Sequence, residues 1–311
     1  SVAPYGADNY KPSLGPSDLF MHDGYIFVYQ DVRGRVMSEG DFVDMRPYKP
    51  TKAGPMDVDE KTDTYDTIDW LVKSVANNNG KVGLYGISYP GFYTAIGMID
   101  AHPALKAASP QAPITDWFIG DDFHHNGALY LPHAFGFFSG FGWPRPKPTT
   151  QGGARFDYGT LDGYQFYQKL GPLSRVNDRY FHGQVQFWND LMAHEVNDAF
   201  WQARNLRPYL KNIKPAVMTV GGWFDAEDLF GALEVYRNTE RMNPNITNVI
   251  VMGPWSHGGW GHGTGEQLGP RSLHATTAEF YREEIKLPFY RQFLKGATNH
   301  IPNEHAIFVR G

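Results

Sequence analysis

The sequence predicts an α/β fold in which a mostly parallel sheet is flanked by helices and interrupted by an inserted helical cap. Three observations predict it. Short continuous apolar runs alternate with segments whose apolar residues recur at helical spacing. A glycine-bounded serine turn joins one such run directly to a helix. Residues 116–210, rich in aromatic residues, glycine, proline and histidine with weak periodicity, separate the two halves of this alternation.

The first half of the alternation is predicted to hold three strands and two helices. Residues 25–30 (YIFVYQ) form a short apolar run typical of a strand buried on both faces of a parallel sheet. A helix over 59–77 is indicated by its apolar spacing, its acidic first turns and the stop signal that follows. The remaining predicted elements of this half are a strand at 81–85, a helix from the serine turn to about residue 102, and a strand at 105–109.

The second half resumes after the aromatic-rich insertion. Its predicted elements are strands at 216–220 and 248–252, an amphipathic helix over 276–295, and a last strand at 306–309. The predicted organisation is therefore a core made of residues 1–115 and 211–296, with residues 116–210 as a mostly helical cap. The aromatic density of the insertion is too high for a linker.

Composition excludes several classes of function. The chain has 311 residues, of which 41% are hydrophobic, enough for a large core and too many for general disorder. Its 28 basic and 33 acidic residues show no basic stripe, so nucleic acid is not an expected partner. The sequence has no cysteine, which excludes thiol catalysis and zinc–thiolate sites. No apolar run reaches the roughly 18–20 residues that a membrane span requires.

The serine turn carries the first chemical prediction. Residues 86–91 (GISYPG) follow a predicted strand and open a helix, the context in which a nucleophilic serine stands on a strained turn. Ser88 is the candidate nucleophile, with Asp225 and His257 as its partners because each follows a later strand in the expected order. Taken singly, each residue also has a structural interpretation. The serine would mark only a tight turn between strand and helix, and the histidine would be a hydrogen-bonded loop residue. Their order and context together favour catalysis.

The motifs at 86–91, at 30–34 (QDVRG) with 38–41 (SEGD), and at 253–257 (GPWSH) resemble the cocaine esterase / X-prolyl dipeptidyl peptidase (S15) group of α/β-hydrolases. Within that group the sequence is most similar to the α-amino acid ester hydrolases. The resemblance runs from about Pro4 to the C-terminus. It implies an α/β-hydrolase fold, with residues 297–311 as the start of a β-sandwich (jelly-roll) domain that lies mostly outside this sequence, as do strands that the family carries before the Pro-Tyr loop.

The resemblance also implies roles for individual residues. Ser88 would be the nucleophile, His257 the general base, and Asp225 the carboxylate that orients the base. The backbone N–H of Tyr89 and the hydroxyl of Tyr5, in the loop at 3–6 (APYG), would form the oxyanion hole.

A carboxylate cluster that binds a substrate α-ammonium marks the amino acid ester hydrolases. The matching residues here are Asp122, Glu227 and Asp228. Three carboxylates around one pocket would repel one another unless a cation joins them. An alternative is that Glu227 and Asp228 only complement the N-terminus of the helix predicted to follow them. The match with the distant Asp122 favours the ammonium site.

The resemblance implies acyl transfer on esters and activated amides of α-amino acids, including β-lactam antibiotic side chains. Alternatives are an X-prolyl dipeptidyl aminopeptidase, a general carboxylesterase, and a non-catalytic binding module. We expect a small-molecule ester or amide as partner, no membrane contact and no cofactor, while a homo-oligomer stays open. Because members of this group are often exported, the resemblance favours a periplasmic or secreted location.

The pair His124–His125 lacks further ligands at a recognisable spacing, so no metal is expected. Asp31 and Arg33 are expected to form an ion pair.

Overall fold

The computed structural model describes residues 2–7, 18–54, 56–152 and 155–298, which contain ten strands and ten α-helices. The strands are β1 (Val2–Ala3), β2 (Gln30–Asp31), β3 (Val82–Ile87), β4 (Leu105–Gln111), β5 (His124–His125), β6 (Ala128–Leu129), β7 (Ala216–Gly222), β8 (Asn248–Gly253), β9 (Gln267–Leu268) and β10 (Arg271–Ser272). The helices are α1 (Asp18–His22), α2 (Glu60–Ser74), α3 (Tyr89–Gly97), α4 (Leu131–Gly140), α5 (Gly163–Leu170), α6 (Gln186–Ala193), α7 (Ala199–Arg204), α8 (Leu229–Met242), α9 (Thr277–Phe280) and α10 (Leu287–Tyr290).

A four-stranded parallel sheet in the order β3-β4-β7-β8 forms the centre of the molecule. Strands β7 and β8 are buried along their whole length, as expected for a sheet covered on both faces. All four strands were predicted, each somewhat shorter than the structure has it. Since the strands are parallel, the loops after β3, β7 and β8 leave the same edge of the sheet.

Helix α2 begins where the sequence predicts and ends earlier. Asp59 caps it, accepting a hydrogen bond from the amide of Thr62, while the Thr62 hydroxyl accepts one from the amide of Asp59. The helix ends at Ser74. Beyond it the side-chain amide of Asn78 donates to the carbonyls of Val72 and Val75 and replaces the backbone N–H donors that these carbonyls would have in a longer helix.

The segment 116–210 contains α4 to α7, the β5–β6 hairpin, a π-helical turn at Asn177–Phe181 and a 3-10 turn at Arg207–Tyr209. Its aromatic residues are largely interior. Phe135, Phe138, Phe181 and Trp188 are fully buried and belong to the same apolar cluster as residues under the sheet. This shared cluster fixes the segment against the sheet, although the division of the chain at 115 and 210 stays a prediction.

The predicted helix over 276–295 is present but irregular. Helix α9, a π-helical stretch at Tyr281–Lys286, helix α10 and a second π-helical stretch at Arg291–Lys295 follow one another without a break. Pro288, which has no amide hydrogen, lies in the middle of this run and prevents a continuous α-helical ladder. The predicted strand at 306–309 lies outside the described residues.

Two predictions near the start of the chain were wrong. Residues 25–29 are irregular and partly exposed, and within the described ranges strand β2 begins at Gln30, where it pairs with β1. Arg33 does not pair with Asp31. It binds both carboxylate oxygens of Asp63 at 2.9 and 2.5 Å, since its planar fork matches a carboxylate in two places. Asp31 instead accepts hydrogen bonds from the amides of Ala7 and Met37.

Candidate active site

Ser88 lies on the turn between β3 and α3, in a strained backbone conformation with φ of 69° and ψ of −127°. Its amide donates to the carbonyl of Gln111, which holds the turn against β4. The glycines at both ends of the motif are required by space. A Cβ on Gly86 would lie 2.3 Å from the carbonyl oxygen of Pro90, and one on Gly91 would lie 2.5 Å from that of Gln111. These contacts are the collisions expected of a nucleophile turn.

Asp225 and His257 meet at the edge of the sheet above β7 and β8. The Nδ1 atom of His257 lies 2.9 Å from Oδ2 and 3.1 Å from Oδ1 of Asp225. The amides of Glu227 and Asp228 donate to Oδ1 of Asp225 and fix its orientation. With Nδ1 donating to the carboxylate, the lone pair of Nε2 is left to accept a proton.

The pKa values of this pair diverge. Burial would raise the pKa of Asp225, but the hydrogen bond and the charge of His257 hold it below its ordinary value. Burial would lower the pKa of His257, but the hydrogen bond and charge of Asp225, with the charge of Glu227, hold it above its ordinary value. The pair is therefore arranged to stabilise an imidazolium ion.

The serine turn and the histidine loop are neighbours. Ile87, the residue before Ser88, lies 3.7 Å from the position that a Cβ would take on Gly258, the residue after His257. The Nε2 atom of His257 lies 3.5 Å from Oε2 of Glu227. The three residues predicted as a triad thus follow three strands of one sheet at the same edge.

The two predicted oxyanion donors differ in their surroundings. Tyr89 is the first residue of α3, so its amide has no acceptor within the helix. Its buried side chain donates to Asp44 at 3.3 Å and accepts from the amide of Met45 at 2.7 Å, which fixes the helix start. Tyr5 is 39% exposed, and its ring packs edge-on against Phe141 with centroids 5.8 Å apart. Their roles as donors stay predictions.

The structure brings the three predicted carboxylates together beside His257. The amide of Asp122 donates to the carbonyl of Glu227 at 3.0 Å, which joins the two loops. Asp122 has a φ of 43°, which is rare for a residue with a side chain. Asp228 is fully buried, and its Oδ2 lies 4.0 Å from Nδ1 of His257.

Asp228 is not satisfied by the helix that follows it. Although it stands at the N-cap of α8, its side chain makes no capping hydrogen bond there. Neither of its carboxylate oxygens has a hydrogen-bond partner in the part of the chain that the structure describes. Burial, and then the charges of Asp122 and Asp121, raise the pKa of Asp228 well above its ordinary value. The prediction that Asp228 only complements a helix end thus loses its main support.

Sequence reasoning missed His133, which α4 places over the cluster. Its Nε2 lies 3.0 Å from Oδ1 of Asp122 and 3.9 Å from Oε2 of Glu227, and its ring stacks on Tyr130. Burial would lower the pKa of His133, but the hydrogen bond and charge of Asp122 hold it above its ordinary value. No sequence spacing relates a histidine in α4 to the loops that carry Asp122 and Glu227. The contact is therefore visible only in the folded structure.

Two further residues hold Asp122 and its loop in place. Trp117 donates from its indole Nε1 to Oδ2 of Asp122 at 2.7 Å. Asp121, fully buried, accepts from the amide and hydroxyl of Thr115, from the amide of Asp116, and from the amide of Gly231 in α8. Both residues therefore support the cluster. The sequence alone does not distinguish such a supporting residue from a residue of the cluster itself.

The pair His124–His125 lies in strand β5, where successive side chains point to opposite faces. The Nδ1 atom of His124 is 2.9 Å from the carbonyl oxygen of Trp117, and its ring packs against Trp201. His125 is exposed and packs against Tyr130. Neither histidine belongs to the carboxylate cluster.

Comparison with known proteins agrees with this geometry. The family model of X-Pro dipeptidyl-peptidase (S15 family) matches residues 2–259. The chain belongs to the S15 family. Cocaine esterase of Rhodococcus sp. (strain MB1 Bresler) is 28% identical over 249 residues, which cover 76% of this chain and 39% of the esterase. The resemblance to this group is thereby confirmed.

Two solved structures of the S15 type superpose closely. An α-amino acid ester hydrolase has a TM-score of 0.88 and 35% identity, with 99% of this chain and 51% of that chain covered. An aminopeptidase from a marine sediment Thaumarchaeota archaeon has a TM-score of 0.88 and 31% identity, with 100% and 52% covered. The fold is that of the α/β-hydrolases, as predicted. The chain spans about half the length of these two proteins and less of the esterase.

None of the helices in the described ranges is long and apolar enough to cross a membrane.

Proposed function

We propose that this S15 chain is a serine hydrolase that transfers the acyl group of α-amino acid esters and activated amides, including those of β-lactam antibiotic side chains, to water or an amine. The observation that carries the proposal is the meeting of Asp122, Glu227 and Asp228 beside His257, with buried Asp228 lacking a hydrogen-bond partner among the described residues. A cationic substrate group placed there would sit next to the reacting centre.

The chemistry follows from the Asp225–His257 pair. Ser88 Oγ attacks the carbonyl carbon of the substrate while Nε2 of His257 takes the hydroxyl proton, and Asp225 stabilises the resulting imidazolium. The imidazolium then protonates the leaving alcohol or amine, and the acyl group stays on Ser88. Water, deprotonated by His257, attacks this acyl-enzyme, and Ser88 regains its proton. An amine in place of water gives an amide instead.

The oxyanion formed in each step needs two donors. The amide of Tyr89 is suited because it is the first of α3 and has no acceptor within the helix. The hydroxyl of Tyr5 is the proposed second donor. Losing one such donor costs about 2.7–4 kcal/mol of barrier in a known hydrolase, so Tyr5→Phe is expected to lower kcat by about 100-fold or more.

The carboxylate cluster would select for an α-ammonium group. Burial, then the charges of Asp122 and Asp225, raise the pKa of Glu227 against the opposing effect of His257 and His133. A bound ammonium would relieve this repulsion and donate hydrogen bonds to the carboxylate oxygens of Asp228, which have no hydrogen-bond partner among the described residues. A neutral acyl group offers no such compensation, so it would bind less well.

A second candidate is an X-prolyl dipeptidyl aminopeptidase, which the same cluster would serve by holding a peptide N-terminus. An Xaa-Pro dipeptidyl-peptidase of Lactiplantibacillus plantarum is 25% identical over 61% of this chain. A plain carboxylesterase is the third, in line with the cocaine esterase. Faster turnover of an X-Pro-anilide than of an amino acid methyl ester would favour the peptidase, and indifference to the amino group would favour the esterase.

The deciding experiment compares kcat/KM for phenylglycine methyl ester with that for phenylacetate methyl ester, which lacks the amino group. We expect a preference of about 100-fold or more for the amino ester, because a hydrogen bond to a buried charge contributes about 1.5–3 kcal/mol and the cluster offers more than one. Asp122→Asn and Glu227→Gln should each reduce the preference. Equal kcat/KM values for both esters would contradict the proposed specificity for α-amino acid esters and would favour a general esterase.

A further inference from the structure

We propose that Asp122, His133 and Glu227 form a binding site for a zinc-like divalent metal ion, and that the bound ion inhibits the enzyme. Each residue offers one ligand atom, and the three atoms lie within 4.8 Å of one another. The inference goes beyond the proposed function, although it uses two residues of the proposed ammonium site.

The distances suit a small ion with nitrogen and oxygen ligands. Zinc binds histidine nitrogen and carboxylate oxygen at about 2.0–2.2 Å, so its tetrahedral ligands stand roughly 3.3–3.6 Å apart. Here Nε2 of His133 lies 3.0 Å from Oδ1 of Asp122 and 3.9 Å from Oε2 of Glu227. The ligand atoms of Asp122 and Glu227 lie within 4.8 Å of each other, so an approach of up to about 1.2 Å would give three ligands and an open fourth position.

The outer contacts resemble those that orient metal ligands. The indole of Trp117 occupies Oδ2 of Asp122 and leaves Oδ1 for the ion. The hydrogen bond from the amide of Asp122 to the carbonyl of Glu227 keeps the two carboxylate-bearing loops together. Such supporting donors are typical of built sites and unusual for carboxylates that merely repel one another on a surface.

The surroundings of Asp228 are a second observation that favours a bound cation at this site. It is fully buried, its Oδ2 atom lies 4.0 Å from Nδ1 of His257, and neither of its oxygens has a hydrogen-bond partner among the described residues. A dication held by Asp122 and Glu227 would neutralise the surplus charge that these acids bring. The imidazole of His133 separates zinc-like metals from magnesium and calcium, which prefer oxygen ligands alone.

Inhibition follows from the position of Glu227. Its Oε2 atom lies 3.5 Å from Nε2 of His257, so an ion on Glu227 would lie beside the proposed general base. The positive charge would oppose the imidazolium that forms during acyl transfer, which slows the reaction of any ester. It would also fill the place of the substrate ammonium, so amino esters would compete with it.

The test measures metal binding on Ser88→Ala protein, which cannot turn over substrate, so a failure of the proposed function leaves the result intact. Zn²⁺ affinity is obtained by competition with a chromophoric chelator in metal-free buffer, and Co²⁺ binding is followed by the visible bands of tetrahedral cobalt. We expect one ion per chain, tetrahedral cobalt bands, and no displacement of Zn²⁺ by a large excess of Mg²⁺.

His133→Ala should weaken Zn²⁺ binding at least about 100-fold and abolish the tetrahedral cobalt bands, because the loss of a supporting partner alone costs about 10–100-fold. Trp117→Phe tests the same site through that supporting contact and should cost about 10–100-fold. His125→Ala, which removes an exposed histidine that packs on the same Tyr130, is the matched control and should bind as before. Far-ultraviolet circular dichroism verifies that each variant is folded.

Three outcomes would overturn the proposal: Zn²⁺ affinity weaker than about 1 mM, equal affinity in folded His133→Ala and Trp117→Phe proteins, or equal binding of Mg²⁺. In the active protein, Zn²⁺ should lower kcat/KM for both esters, with full recovery on adding a chelator. If zinc binds as expected while the preference for amino esters is missing, the proposed function fails and the metal site stands.

Discussion

The amide of Asp122 donates a hydrogen bond of 3.0 Å to the carbonyl of Glu227, joining the loop before β5 to the loop that carries Asp225. This one contact brings a carboxylate from the middle of the chain to within reach of His257, whose Nε2 lies 3.5 Å from Glu227. The proposed ammonium site and the proposed general base thereby lie side by side at one edge of the sheet.

Ser88→Ala should abolish ester hydrolysis and labelling by a fluorophosphonate probe. Removing a nucleophile that acts as a unit with its base costs a factor of about 10⁶ in a known serine protease, so we expect a loss of at least about 10⁴-fold. Hydrolysis of p-nitrophenyl acetate and probe labelling measure it. Ser174→Ala, at an exposed position in the cap segment, is the control and should behave as the parent. Undiminished turnover by Ser88→Ala would exclude Ser88 as the nucleophile.

Gly86→Ala should both destabilise the protein and inactivate it. A Cβ at residue 86 would lie 2.3 Å from the backbone oxygen of Pro90, so α3 must shift and take Ser88 with it. Overpacking of this kind costs about 1–3 kcal/mol of unfolding free energy, which urea unfolding would detect. Gly163→Ala, which meets no atom within 4 Å, should leave both properties nearly unchanged. Full activity of Gly86→Ala would mean that the position of Ser88 does not depend on a glycine at residue 86.

The pH profile should show an acidic limb governed by His257. Because its pKa is raised above 6.5, chiefly by the hydrogen bond with Asp225 against burial, the base is protonated and inactive on the acid side. We expect kcat/KM for phenylacetate methyl ester, in metal-free buffer, to rise with pH through a midpoint above 6.5. Glu227→Gln removes a charge that raises this pKa and should move the midpoint down. A midpoint below 6.5 in the parent protein would contradict the arrangement.

Lys286→Met should stabilise the protein most at neutral pH. Lys286 is buried beside Tyr85, with its Nζ 4.1 Å from the ring centroid, and burial lowers its pKa to about 7. The unfolded state, with the ordinary pKa of 10.5, binds the proton more readily, so the parent protein gains stability as pH rises from 7 towards 10.5.

Methionine, of similar length and favourable beside an aromatic ring, has no charge to bury. The difference in melting temperature between Lys286→Met and the parent should therefore shrink between pH 7 and pH 10. Lys81→Met, at an exposed position, is the control and should show no such trend. A difference independent of pH would mean that Lys286 keeps its ordinary pKa.

Much of the fold could be predicted because its signals are local. The strands β3, β7 and β8 are mostly apolar runs, and the turn at Ser88 needs glycines where any Cβ would collide. The loops that carry Ser88, Asp225 and His257 leave the same edge of the sheet because its strands are parallel. Of the strand predicted at 25–30, the structure assigns Gln30 to β2, because apolar content alone does not decide where the backbone forms ladder hydrogen bonds.

The amino-acid sequence by itself determined the α/β alternation and the glycines of the serine turn, and its resemblance to a known family pointed to the residues proposed as a triad and an acidic cluster. Only the tertiary structure decided that His133 of the cap lies 3.0 Å from Asp122, that Trp117 holds that carboxylate, and that Asp228 is buried without a described hydrogen-bond partner. The physical reason is that periodicity and turn chemistry act between near neighbours. The charge, burial and pairing of a site depend on which distant segments fold against it.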